Sequence, residues 1–216
     1  MRKHQKAEIR RLEILETYYQ VLLEEGFEGT SLVKIAKHMN IHPSLIIHYF
    51  KTKDNMTIEL VDLLIEKYEA PEFFQLDHIE DLEQRFQAMI DTVFSFEWSR
   101  TIDPGLHFGF YYLSFRNPKI RKAYETMIQR FRDYLVGQLQ FYQQAGIVKT
   151  NDAKAAAGVM VTLMEGLEFH AQFLSEGQPF ENFANYAKQL VLRILKDETN
   201  SSGSVNSVKV ENLIKS

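Results

Sequence analysis

At 216 residues, 45% of them hydrophobic, the chain is long enough to bury one large core or two smaller ones. It has no cysteine, which excludes disulfides, cysteine-ligated zinc and thiol catalysis together. A net charge of −4 argues against a protein that binds polyanions all over its surface.

The charge is unevenly spread. Residues 1–56 hold nine Lys/Arg against seven Asp/Glu, whereas residues 57–216 hold 16 against 22. Four of the seven histidines (His4, His38, His42 and His48) also lie in the first segment. A DNA-facing end and an acidic remainder fit this asymmetry. The basic start, MRKHQKAEIRR, runs into an amphipathic segment and not an apolar one, so no secretory signal is expected. No run of about 18 apolar residues occurs, so no membrane span is expected either, and a cytoplasmic location fits best.

The elements read as helices in chain order. Ile9, Leu12, Leu15, Tyr19, Leu22 and Leu23 recur at three- and four-residue steps up to Gly26. Thr30 or Ser31 caps a short second helix carrying Leu32, Ile35, Ala36 and Met39. Asn40 turns the chain, and Pro43 opens a third helix. A fourth runs from Thr52 through Leu60, Leu63, Leu64 and Tyr68 to near Pro71. Ile79 to Trp98 forms the next. Asp103-Pro104 opens a short one, and Asn117-Pro118 a long one ending at Gly146, each pairing an N-cap with proline at the first helical position. Asn151 or Asp152 begins another to about Ser175, and Pro179 begins the last, ending near Asp197. No period-two strand is found, and the Ser/Asn-rich residues 198–216 read as a mobile tail. The expectation is an all-α protein of about nine helices.

Two short helices joined by a tight turn make a helix-turn-helix when the second lies in the DNA major groove. At 100° per residue, Ile46 and Phe50 fall on one side of the third helix, toward Ile35, Ala36 and Ile41. The other side carries Ser44 and His48, flanked by Leu45 and Ile47. Exposed Leu and Ile suit thymine methyls, and Ser and His hydrogen-bond to base edges. His42 and Pro43 begin this face. Phosphates fall to Thr30 or Ser31 at the start of the second helix, and to Tyr49, Lys51 and Lys53 beyond the third. Arg2, Lys3, Lys6, Arg10 and Arg11 supply a basic arm for phosphate or minor groove. His38, His42 and His48 do not read as a metal set, because Asn40 and Pro43 break the helix between the first two and no carboxylate accompanies them. No cofactor is expected.

The run GFEGTSLVKIAKHMNIHPSLIIHYFKTKD resembles the DNA-binding segment of TetR-family transcriptional regulators. The resemblance rests on Gly26-Phe27, Thr30-Ser31, Ile35-Ala36, Asn40-Ile41 in the turn, and His48-Tyr49-Phe50 followed by Lys53. It implies a homodimeric repressor of an operator in double-stranded DNA, with a helix-turn-helix domain over residues 1–51. Residues 52–197 would then bind a small-molecule effector and dimerise. Positions 45 and 47, often Thr and Tyr in the family, are Leu and Ile here, which shifts the expected contact toward methyl groups. Ser44 stands where glycine is common.

The remainder is rich in aromatics, and Phe94, Trp98, Phe108, Tyr111, Tyr112 and Tyr134 are candidate walls of an effector pocket, with His107 as a polar partner. Glu165 and Glu168 lie three apart on an otherwise apolar helix; either faces a cationic ligand, pairs with Arg116, Arg121, Arg130 or Arg132, or is simply exposed. Small residues at Ala155 to Gly158 and Gly166 permit close helix approach, so the last two helices are the expected homodimer interface. An enzyme is disfavoured by the absence of a nucleophile elbow, a P-loop or a metalloprotease motif. A DNA-bound scaffold recruiting a protein partner is the other reading.

Overall fold

The computed structural model describes residues 2–69 and 74–196, with side chains over residues 5–64 and 74–196. The expected tail and Pro71 lie outside these residues. Among them there are ten helices and no strand: α1 (Arg2–Gly29), α2 (Leu32–His38), α3 (Pro43–Phe50), α4 (Lys53–Glu69), α5 (Leu82–Val93), α6 (Phe96–Ser99), α7 (Pro104–Ser114), α8 (Pro118–Gln144), α9 (Ala153–Phe173) and α10 (Phe180–Lys196).

The caps set most of these boundaries. Asp81, Asp103 and Asp152 each accept a hydrogen bond from the backbone N–H three residues on, and Asn117 accepts from Lys119 and Ile120. The tenth helix arises where one was expected to run from Ile79 to Trp98. Phe94 leaves helical geometry, and the Ser95 hydroxyl accepts from the Trp98 amide at 3.0 Å, starting the separate turn α6. Within α1, Gly26 takes φ 68°, a left-handed value that glycine adopts without Cβ strain.

The packing also re-phases α1. Its buried stripe is Ile14, Leu15, Tyr18, Val21 and Leu22, while Ile9, Leu12 and Leu23 are exposed. Two apolar clusters result. One joins α1 through α4 to Leu106 and Phe110 of α7 and Ala123 and Tyr124 of α8; the other is built from α5, α8, α9 and α10. The first does not stop at the expected helix-turn-helix boundary, because α1 leans on α7. The Phe27 ring meets Phe110 edge-on at 5.2 Å and lies over Gly109, where a Cβ would fall 2.2 Å from Phe27 Cε2. At the other end of α7, the Asn117 amide donates to Asp54 of α4 at 2.8 Å.

Candidate nucleic-acid interface and sensor bundle

The α2–α3 unit is held from beneath by Ile35, Ala36, Ile46 and Phe50, all buried. Asn40 takes φ 51°, a value asparagine tolerates, and the Ile41 amide donates to Ala36 O at 3.0 Å, which turns α3 across α2. Burial of Ile46 and Phe50 leaves the opposite side of α3 outward. Ser44 and His48 are exposed there, and Ile47 is 47% exposed. Leu45, expected beside them, is half-buried. His42 caps α3: its Nδ1 accepts from the Ser44 amide at 3.3 Å and lies 2.7 Å from the Ser44 hydroxyl. A neutral imidazole accepting at Nδ1 carries its proton on Nε2, which remains a donor. Pro43 at the first helical position is half-buried.

Several expected phosphate ligands are turned inward. Thr30 is 3% exposed and donates its hydroxyl to Gly26 O at 2.6 Å, so it ties down the end of α1 and does not face a ligand. Ser31 takes the exposed place, capping α2 through the Lys34 amide. Lys53 is half-buried, and its ammonium donates to Phe27 O and, at 2.6 Å, to Thr30 O. Burial pushes its pKa down. Two of its three N–H bonds are thus committed to the end of α1. Lys51 is exposed at φ 67°, Nζ 3.2 Å from His48 O, and Tyr49 is half-buried with its ring edge-on to His48.

In the arm, Lys6 and Arg10 are exposed, and Arg10 pairs with Glu13 at 2.8 Å. Arg11 turns inward to Glu59 of α4 and Tyr49 O of α3. The side chains of Arg2 and Lys3 lie outside those described. No local pattern in the sequence announces the Arg11–Glu59 pair, whose members are 48 residues apart.

Among the described residues, the nine candidate effector residues fall into different surroundings. Phe94 is core, 1% exposed. Trp98 stacks on Phe131 at 5.0 Å with its Nε1 3.1 Å from Met164 Sδ, and Tyr134 packs on Phe74 at 5.0 Å. Burial pushes the Tyr134 phenol up to about 12. Tyr112 is exposed beneath the Arg116 guanidinium. A second group does converge: His107 Nε2 is 2.9 Å from Glu165 Oε2 and 3.4 Å from the Tyr124 hydroxyl, with Phe108 and the half-exposed Tyr111 around them. Burial first, then the Glu165 carboxylate, raises the Tyr124 pKa.

Glu168 is buried and takes both its oxygens to Arg100 Nη1 at 2.8 Å, a partner not among the four arginines expected. A cleft of about 190 Å³ opens nearby between α6, α9 and α10, lined by Phe96, Arg100, His170, Phe180 and Phe183 among others. None of the nine candidates borders it.

Comparison with known proteins bears on both halves of the chain. Residues 14–60 match the family model for bacterial regulatory proteins of the tetR family, and residues 81–196 match that for the tetracyclin repressor-like C-terminal domain. The HTH-type transcriptional regulator BetI of Burkholderia lata is 22% identical over 163 residues, 74% of this chain and 80% of that protein. The regulator PksA of Bacillus subtilis is 37% identical over 67 residues, 31% of this chain and 33% of PksA. Among solved structures, a TetR transcription regulator from Haloarcula marismortui superposes with a TM-score of 0.74 at 17% identity, covering 88% of this chain and all of that one. A transcriptional regulator from Saccharomonospora viridis, solved in complex with choline, gives 0.73 at 18% identity over 87% of this chain and 98% of its own.

Proposed function

This chain belongs to the TetR family of bacterial regulatory proteins, DNA-binding regulators and not enzymes, and we propose that it acts in the cytoplasm as a homodimeric repressor released from a pseudo-palindromic operator by a small molecule. In this reading residues 1–51 form the DNA-reading unit and residues 52–197 the sensing and dimerising unit. The observation that carries it is the division of α3 into a buried Ile46/Phe50 side and an outward Ser44/Ile47/His48 side. An apolar side chain presented beside two hydrogen-bonding ones on a short helix has little to do in water and matches the methyl and acceptor groups of the major groove.

Dimerisation is supported by the apolar residues α9 and α10 leave exposed: Val159, Phe169 and Phe173 on one, with Leu174 just past its end, and Tyr186 and Leu190 on the other. Two copies joined there would present two α3 helices to two half-sites. Small-molecule response is supported by choline in the Saccharomonospora neighbour. In this chain the Glu165 carboxylate, set among Tyr111, Tyr124 and His107, offers the matching chemistry for a small organic cation. An effector shifts the equilibrium only by its differential affinity for the two states of the dimer.

Selection of bound duplexes from a random pool tests the first part, and a consensus with two inverted half-sites is expected. Titrating choline against the selected operator tests the second. Equal operator affinity with and without it would remove the cation reading and leave the DNA reading intact.

A further inference from the structure

One arginine is wired to three helices at the base of the reading unit. Arg11 leaves α1 between the reading helix and the helix that follows it. Its Nε and Nη2 donate to the two oxygens of Glu59 on α4, its Nη1 donates to Tyr49 O on α3 at 3.1 Å, and its guanidinium lies 4.8 Å from the centre of the buried Phe50 ring. The fork geometry of guanidinium allows all of this at once, whereas an ammonium cannot bridge a bidentate carboxylate and a carbonyl in a fixed plane. Tyr49 and Phe50 form the last turn of α3, whose own backbone ladder has ended, so the Tyr49 carbonyl is one of the groups that needs an outside donor. Both the end of α3 and the middle of α4 are therefore referred to the same rigid group.

From this geometry we propose that Arg11 is a positioning residue for DNA reading: it holds the pose of α3 on α4, and a displacement of α4 reaches the outward face of α3 through it. The proposal rests on α3 being the reading helix. It reassigns Arg11 from the phosphate-binding arm to the part-buried junction of α1, α3 and α4. The half-buried Glu59 carboxylate has a matching role, because it fixes the plane in which the guanidinium faces Tyr49 O.

The two roles of Arg11 give different salt dependences. A phosphate contact contributes about one unit to the slope of log affinity against log salt, and a positioning residue contributes none. The experiment measures binding of the full-length protein to its selected operator at several salt concentrations, for wild type, Arg11→Gln, Arg11→Lys, Glu59→Gln and the Arg11→Gln/Glu59→Gln pair. Each single variant should lose about tenfold in affinity with the slope unchanged, and the pair should lose little more than either alone. Arg11→Lys keeps the charge, so its loss separates geometry from electrostatics. Should Arg11→Gln fail to fold by circular dichroism, the affinity of Arg11→Lys decides instead: a lysine keeps a phosphate contact but not the bidentate bridge, so a tenfold loss in it and in Glu59→Gln supports the proposal and wild-type affinity in it overturns the proposal.

A slope reduced in Arg11→Gln but not in Glu59→Gln would make Arg11 a phosphate ligand and overturn the proposal. So would wild-type affinity in all four variants, with DNA reading by α3 then untouched. If the wild-type protein bound no duplex from the pool, the reading-helix assignment itself would fall and Arg11 with it.

Discussion

Thr30 and Lys53 carry the residue-scale lesson: a polar side chain at the right place in a motif need not point at the ligand. Thr30 Oγ1 is buried on Gly26 O, and the Lys53 ammonium caps the carbonyls where α1 ends. Lys53→Met keeps the apolar stem and removes those bonds, so its main effect should be a loss of about 1–3 kcal/mol of stability, read from urea unfolding. Undiminished stability with a reduced salt slope would return Lys53 to the phosphates. Tyr18 gives a pH test. It is fully buried, donates or accepts at 2.8 Å with Thr57, and burial raises its pKa from 10.0 to about 12. The folded chain thus holds the phenolic proton more tightly than the unfolded one. Its contribution is fully present below pH 10 and is lost as pH rises toward 12, by up to about 1.4 kcal/mol per unit. The urea midpoint of wild type should fall across that window, and that of Tyr18→Phe should fall less steeply.

Among the elements, the caps were the most legible feature. Asp103-Pro104 and Asn117-Pro118 mark helix starts that the structure reproduces, because an N-cap acts on amides two or three residues away and needs no distant partner. The division of α3 into inner and outer sides was legible for the same reason, Ile46 and Phe50 being one turn apart. What was not legible depends on elements far along the chain. The buried stripe of α1 could follow Ile9, Leu12 and Leu23 or Ile14, Tyr18 and Val21, and α4 and α7 decide between them. The ring contacts of the aromatic bundle were not legible either, since aromatic spacing along one helix does not say which ring meets Phe74, Phe131 or Tyr124. The contact between α1 and α7 shows how tight such unannounced meetings are. Gly109→Ala would push a methyl into the Phe27 ring and should cost about 1–3 kcal/mol. Adding Phe27→Leu should cost less than the sum of the two single changes, because the larger ring is what the methyl strikes. Strict additivity in thermal unfolding would show that the ring moves aside freely.

For the proposed dimer the decisive quantity is how two reading units are held. A single α3 offers few base contacts, and one half-site read alone binds far more weakly than two read by a joined pair, because the second contact is made at high effective concentration. The exposed stripe on α9 and α10 follows helical spacing, with Val159, Phe169 and Phe173 on the first and Tyr186 and Leu190 on the second. Tyr186 is 72% exposed, and Phe169 and Leu190 are about half exposed with Phe169 tilted on Phe173 at 5.0 Å, so charging these three should cost the fold about 1 kcal/mol or less. A partner helix packed there would meet an unpaired buried carboxylate, a cost large enough to separate the copies. Phe169→Glu and Tyr186→Glu/Leu190→Glu should therefore sediment near 25.3 kDa, the mass of one chain, with an unchanged circular dichroism spectrum, while wild type sediments near twice that. Their affinity for the full operator should fall to that for an isolated half-site, which itself should hardly change, since α3 and its Arg11 support are untouched. Variants that stay dimeric would place the interface elsewhere on the bundle. Variants that become monomeric yet keep full operator affinity would break the link between dimerisation and reading.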